Sequence, residues 1–318
     1  MNALYLECFS GISGDMLAGA LLDLYGNFKD GFNKDLDGSL NRNSDDCFNR
    51  DSDNCFDGDF DDDLNRDFDR RGEWLIQTLK SLPIEGFDIQ ISTVQKSSLR
   101  ACDFLVQLEE PYETHDADLS YLHTYTKNET AHATTLSHEQ MPERNLAEIT
   151  KILQNSNLTD GAKETAIRIF TILANAEAKV HGLPVENVHF HEVGAVDSIV
   201  DIAAIAALTD AIKKEYRIEQ IYVSALYEGH GTVRCRHGML PIPVPAVAEI
   251  ARAHALSLHP IDIEGELVTP TGAAAVAALC TGPTPPADYR IKKIGIGAGK
   301  RNYPTAGIVR AMIVEESN

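Results

Sequence analysis

Ala3-Leu4-Tyr5-Leu6-Glu7-Cys8 runs straight into Phe9-Ser10-Gly11-Ile12-Ser13-Gly14-Asp15-Met16, and then into Leu17, Leu21, Leu22 and Leu24 at helical spacing. A compact apolar strand that turns through glycines into a helix is a unit of α/β architecture. Its turn leaves backbone N–H groups free at the positive end of a helix dipole, where an anion or phosphate can sit. Asp15 can instead hold a cation, and Ser13 can simply cap the helix.

Outward from this unit, Gly72 to Leu82 reads as a short helix, and Ile89 to Val94 and Cys102 to Leu108 alternate as strands do. Glu143 to Gln154 and Gly161 to Val180 are helical, the latter ending at His181-Gly182 before Pro184. Val193 to Lys213 is an apolar helix, Gln220 to Leu226 a strand, Pro245 to Ala255 a helix and Ile308 to Val314 strand-like. The expected fold is α/β: a mixed sheet with packed helices, interrupted by a disordered Asp/Asn-rich insertion and a polar, histidine-containing linker. Residues 1–110 form the N-terminal α/β part with a mobile insertion over 27–72. Residues 111–142 form a flexible linker, and 143–318 a helical and α/β main part that carries the metal site.

The insertion holds 14 Asp against 7 Lys and Arg between Asn27 and Gly72, with no window that fits a calcium loop. His115, His123, His132 and His138 fall in the linker, where they can capture a transition metal loosely. Over 318 residues, 28 basic against 48 acidic side chains give a formal charge of −20, which argues against nucleic acid as a partner. No apolar run approaches a bilayer span and no leader pattern opens the chain, so a cytoplasmic location without membrane contact is expected. The six cysteines are scattered, with neither zinc-knuckle nor disulfide-framework spacing.

Four motifs carry chemistry. His189-Phe190-His191-Glu192 puts two imidazoles on one side of an extended segment with a carboxylate beside them, a set that suits nickel, zinc or copper. Asp197 and Asp201 are four apart on an apolar helix, and a carboxylate there needs a cation or donors, or else goes neutral. Cys235 and His237 again share one side of an extended chain, between Arg234 and Arg236. Thr269-Pro270-Thr271 opens a second helix, with Thr269 as N-cap and Pro270 at the first position. Ile294-Gly295-Ile296-Gly297-Ala298-Gly299-Lys300-Arg301 fails both the Walker A and the dinucleotide patterns and reads as a loop beside an edge strand, although Lys300 and Arg301 can still meet an anion.

Five blocks, Cys8–Met16, Val188–Asp201, Gly229–Gly238, Glu264–Gly272 and Ile294–Gly299, resemble in order the LarC family, the nickel-insertion proteins of the nickel-pincer cofactor pathway. The resemblance covers the chain apart from the two polar tracts. It implies a cyclometallase, a nickel-inserting lyase. Such a protein inserts nickel into pyridinium-3,5-bisthiocarboxylic acid mononucleotide, with CTP consumed and manganese or magnesium assisting. It also implies a C-terminal CTP-binding domain, supplied separately or missing here, and a downstream lactate racemase-type apoenzyme; a homo-oligomer is expected as well.

Side-chain chemistry, and not any family assignment, suggests the individual roles. His189, His191, Cys235 and His237 present nickel, and Glu192 or Asp197 takes the proton that leaves the pyridinium carbon. Ser13, Gly14, Asp15, Thr269, Thr271 and Lys300 bind the mononucleotide phosphate or a metal-bridged nucleotide. A nickel-binding chaperone without turnover and a magnesium-dependent nucleotide hydrolase are the alternatives.

Overall fold

The computed structural model describes residues 1–26, 60–109, 144–190, 195–235, 238–282 and 287–316, with the backbone alone over 60–69. Its centre is a six-stranded mixed sheet. Strand β1 (Asn2–Glu7) lies parallel to β6 (Ile218–Val223) on one side and antiparallel to β12 (Ile308–Glu316) on the other. Beyond β12 come β11 (Tyr289–Ala298), then β3 (Leu99–Leu108) and β2 (Phe87–Lys96) at the edge. The sheet therefore joins strands from both sides of the 110–143 tract, with Gly297 of β11 opposite Cys102 of β3.

Helix α1 (Gly14–Gly26) lies across this sheet against β11, β3 and β12. Leu17, Leu21, Leu22 and Leu24 are fully buried beneath it, each stabilising the fold by about 1.5–3 kcal/mol. The glycine run read as a loop is the inner strand β11, and its glycines are there for packing. A Cβ on Gly297 would overlap the Met16 carbonyl oxygen, and one on Gly295 would overlap the backbone of Ala20 and Leu24. The run is a bed for α1 and lies in the interior of the sheet.

Helix α5 (Val196–Tyr216) packs on α1, and α4 (Asp160–His181) packs on α5. With neighbours on several sides, α5 buries Ile199, Val200 and every residue from Ile202 to Leu208, which explains its lack of a polar face. Helix α4 starts at the Thr159 cap and ends at Gly182 in the left-handed region, as its stop signals require, while Val180 at the end of its apolar stripe is exposed. Short β4 (Arg144–Asn145) leads into α3 (Leu146–Gln154), closed by a capping box between Asn145 and Glu148. Helix α2 (Phe60–Leu79) starts well before Gly72, inside the stretch expected to be an insertion; residues 27–59 and 110–143 lie outside the described residues.

The expected strand over Gln220 to Leu226 is two strands. Ser224 and Ala225 end β6, and β7 (Leu226–His230) leaves the sheet to pair in parallel with β10 (Leu258–Glu264). A hairpin of β8 (Thr232–Cys235) and β9 (Gly238–Pro241) follows, then α6 (Pro245–His254) and, after β10, α7 (Pro270–Leu279). Two-residue β5 (His189–Phe190) pairs with β4.

Candidate functional site

The turn after β1 and the loop before α7 are laced together. The Ile12 N–H donates to the Leu267 carbonyl at 2.8 Å, and the Thr269 N–H donates back to the Ile12 carbonyl at 3.0 Å. Gly11 adopts φ +86°, and a Cβ there would overlap the Leu267 carbonyl, so only glycine allows the approach. Helices α1 and α7 consequently begin side by side, and both present the positive end of a helix dipole. At the α7 start the Thr269 hydroxyl accepts the Gly272 N–H at 3.2 Å and Pro270 occupies the first turn, as the sequence predicts.

The second turn of α5 closes the site from the third side. A Cβ on Gly14 would stand 2.6 Å from Asp201 Oδ2 and 3.1 Å from Thr271 Cγ2, so Gly14, Asp201 and Thr271 form one wall. Asp15 Oδ1 accepts the Met16 N–H at 2.9 Å and the Ser13 hydroxyl. Ser13, Asp15, Asp197, Asp201 and Thr269 are all half-buried, surrounded by protein yet still in touch with solvent, and the space between these three elements is termed the recess. The structure thus brings together the two helix starts, expected separately to bind an anion, and the carboxylate pair of α5.

Two carboxyls of the recess are raised above the usual range. Burial lifts the Asp201 carboxyl well above the usual range, and the neighbouring charges of Asp15 and Asp197 lift it further; Lys300 opposes them. Burial likewise raises Asp15, opposed by the Ser13 hydroxyl, Lys300 and the Met16 N–H. The charge of Asp103 adds to the rise at Asp15, so both carboxyls bind their proton more tightly than a free aspartate does. Lys300 supplies positive charge from the end of β11; its ammonium pairs with Asp103 and donates to the Phe104 carbonyl at 3.0 Å. Arg301, expected to face an anion, turns to Glu266, donating to its carbonyl at 3.2 Å.

The expected nickel ligands are described only in part. His191, Glu192 and His237 lie outside the described residues. His189 is exposed on β5, next to Phe190, which packs on Phe170 at 6.0 Å between ring centres. Cys235 is half-buried at the end of β8, its thiol 3.5 Å from the Gly238 carbonyl. Among the described residues no three or more His, Cys, Asp or Glu side chains group to hold one metal ion.

Three residues of this region carried little or no sequence signal. Asp201 was visible only through its spacing from Asp197. Asp103 sits in an ordinary strand pattern. Glu228, buried on β7 beside Gly229-His230, could be suspected only as a carboxylate within an apolar alternation.

Comparison with known proteins follows the same lines. The family model described as nickel insertion protein matches residues 4–44 and 67–318. A pyridinium-3,5-bisthiocarboxylic acid mononucleotide nickel insertion protein of Alkaliphilus metalliredigens is 42% identical, over 99% of this chain and 61% of that protein. The protein of the same description from Acetivibrio thermocellus is 34% identical, over 98% of this chain and 60% of its own length. A putative nickel insertion protein of Dictyoglomus thermophilum is 31% identical over 99% and 61%. The chain thus spans about three fifths of the length of these relatives. No solved structure matches it.

Proposed function

The chain belongs to the nickel insertion protein family, and we propose that its recess is where nickel is inserted into a sulfurated pyridinium mononucleotide, a lyase-type cyclometallation. Nickel is cargo in this reaction. The carbon–hydrogen bond of the ring breaks, its electron pair forms the nickel–carbon bond, and the proton passes to a carboxylate of the protein. Two sulfur–nickel bonds complete the pincer.

The supporting observation is the convergence of the Ser13–Asp15 turn, the Thr269–Thr271 helix start and the α5 carboxylates on one half-buried recess. Lys300 is already paired with Asp103, so Asp15, Asp197 and Asp201 leave the interior acidic in character, which favours a cationic pyridinium ring and a divalent ion over a phosphate. The mononucleotide phosphate is assigned to the α7 start with Thr269 and Thr271, with Lys300 as the positive charge that acts on the same group of carboxylates. Asp201 is the preferred proton acceptor, because its raised pKa brings it toward the operating pH, where a general base works best. Asp197, its neighbour on α5, and Glu192 remain in the proposal as acid–base partners. His189, His191, Cys235 and His237 remain as the labile donors that deliver nickel.

CTP with manganese or magnesium, the downstream apoenzyme, a homo-oligomer and a cytoplasmic setting belong to the proposal through family membership. No helix among the described residues is long and apolar enough to cross a membrane. The described carboxylates are not grouped as a three-ligand cation site, so no step here runs through metal-bound CTP.

The test is anaerobic incubation of the chain with the sulfurated mononucleotide, nickel, manganese and CTP, with and without the remaining portion of a relative, read by mass spectrometry. The expected product carries nickel in place of protons and is lost in D201N. Nickel retention without product under every condition would leave a metallochaperone, and CTP cleavage without nickel or mononucleotide would leave a nucleotide hydrolase.

A further inference from the structure

We propose that Glu228 is a positioning residue of the recess, an inference that rests on the proposed function only in treating the recess as the working site. Glu228 lies on β7 and is 2% exposed. Its Oε1 accepts three backbone N–H groups, from Gly229 at 2.9 Å, Leu267 at 2.8 Å and Val268 at 3.2 Å. Its Oε2 is buried with no hydrogen-bond partner among the described residues. A carboxylate so enclosed is costly, since burial alone pushes its pKa up while the three amides pull it down. An apolar side chain would fill the same space at less cost, unless the amides themselves need the acceptor.

They do need it. Residues 265–269 lie outside the named strands, and the single bridge of Val268 with Ile12 is made by the N–H groups of Ile12 and Thr269, so those of Leu267 and Val268 find no backbone acceptor in it. Glu228 gathers them, and the Leu267 carbonyl then receives the Ile12 N–H on the other side. The order runs from Glu228 to Leu267, from Leu267 to Ile12, and from Ile12 into Ser13, Gly14 and Asp15. The same loop is held from outside by Tyr303 and Arg301, which both donate to the Glu266 carbonyl at 3.2 Å, and by the Gly265 N–H, which donates to the His230 carbonyl at 3.0 Å. Glu228 is the charged acceptor on the inner side of the loop, as the Glu266 carboxylate, which accepts from Arg301 at 3.4 Å, is on the outer side, and Glu228 sets the register between the two helix starts without touching the substrate.

The test uses E228Q and E228L in the whole chain, read by amide hydrogen exchange and by calorimetric binding of nicotinic acid mononucleotide. In E228L, amides of 265–269 and 11–15 should exchange about tenfold faster, with α4 and β12 unchanged, and E228Q, which keeps one acceptor oxygen, should fall in between. Should E228L not fold, the same local pattern in E228Q decides. Binding should weaken in E228Q while α4 and β12 keep their protection, a separation that general destabilisation does not produce. Unchanged exchange in both segments, or equal acceleration across the chain, would overturn the assignment. A wild-type chain that ignores the mononucleotide would instead count against the proposed function, and the exchange pattern would still decide whether Glu228 positions the loop.

Discussion

The Asp201 carboxylate rests against Gly14, the first residue of α1, so closely that a Cβ on Gly14 would stand 2.6 Å from Oδ2. A carboxylate at a helix start is stabilised by the dipole, yet burial and two neighbouring aspartates push the other way, and the net direction is upward. The recess thus keeps a carboxyl that releases its proton at a higher pH than an ordinary aspartate.

Turnover should rise with pH through an apparent pKa above the ordinary aspartate value, because the base works only when ionised. D201N should lower the rate by about 100-fold or more, the usual range for a general base. D15N should move the rising limb to lower pH, since it removes a negative neighbour that lifts Asp201. Rate–pH profiles of the three proteins test this; an unmoved limb in D15N would uncouple the pair.

Lys300 predicts the opposite displacement. Its charge lowers both Asp15 and Asp201, so K300M should carry the limb to higher pH and should also weaken mononucleotide binding. Titration of nicotinic acid mononucleotide alongside the pH profile separates the two effects.

The raised carboxyl also has a stability signature. Asp201 holds its proton in the folded chain at pH values where the unfolded chain has released it. Folding stability therefore falls as pH climbs from about 4 through the folded pKa, losing about 1.4 kcal/mol for every pH step of one across that window. D201N removes that loss and should melt higher than the parent at pH 8 while matching it near pH 4. Calorimetric melting at both values checks the crossover.

G297A places a methyl group where the Met16 carbonyl already stands, so α1 must lift from β11. A cost of about 2–4 kcal/mol is expected in urea unfolding, with loss of mononucleotide binding because α1 carries Asp15. A fully stable G297A would show that the helix can shift freely on its bed.

H189A and C235S address nickel delivery. If both side chains present the ion, each variant should bind nickel at least about tenfold more weakly by calorimetry, a floor set by what losing even an outer-shell partner costs a metal site. Unchanged stoichiometry and affinity would remove that residue from the ligand set; H191A and H237A extend the same measurement.

What the sequence disclosed follows range. The strand–turn–helix at Ala3–Leu24, the stop at Gly182, the cap at Thr269 and the apolar girth of α5 are local patterns, and each forms where its residues suggest. Gly295 and Gly297 misled because their purpose lies in α1, some 270 residues earlier in the chain, and glycines spaced for a helix to rest on look like a loop. The pairing of the two helix starts, anticipated for each alone, depends on Ile12 meeting Leu267 and Thr269. Asp103 and Glu228 acquire meaning only from partners that no spacing announces.

The seat of β1 between β6 and β12 bears on how the chain is made. Leu4 and Leu6 leave the ribosome before their flanking strands, which follow more than 200 and 300 residues later. Until those arrive, an oily ribbon with two open edges waits in the cell, a standing invitation to aggregate that folding helpers would have to cover.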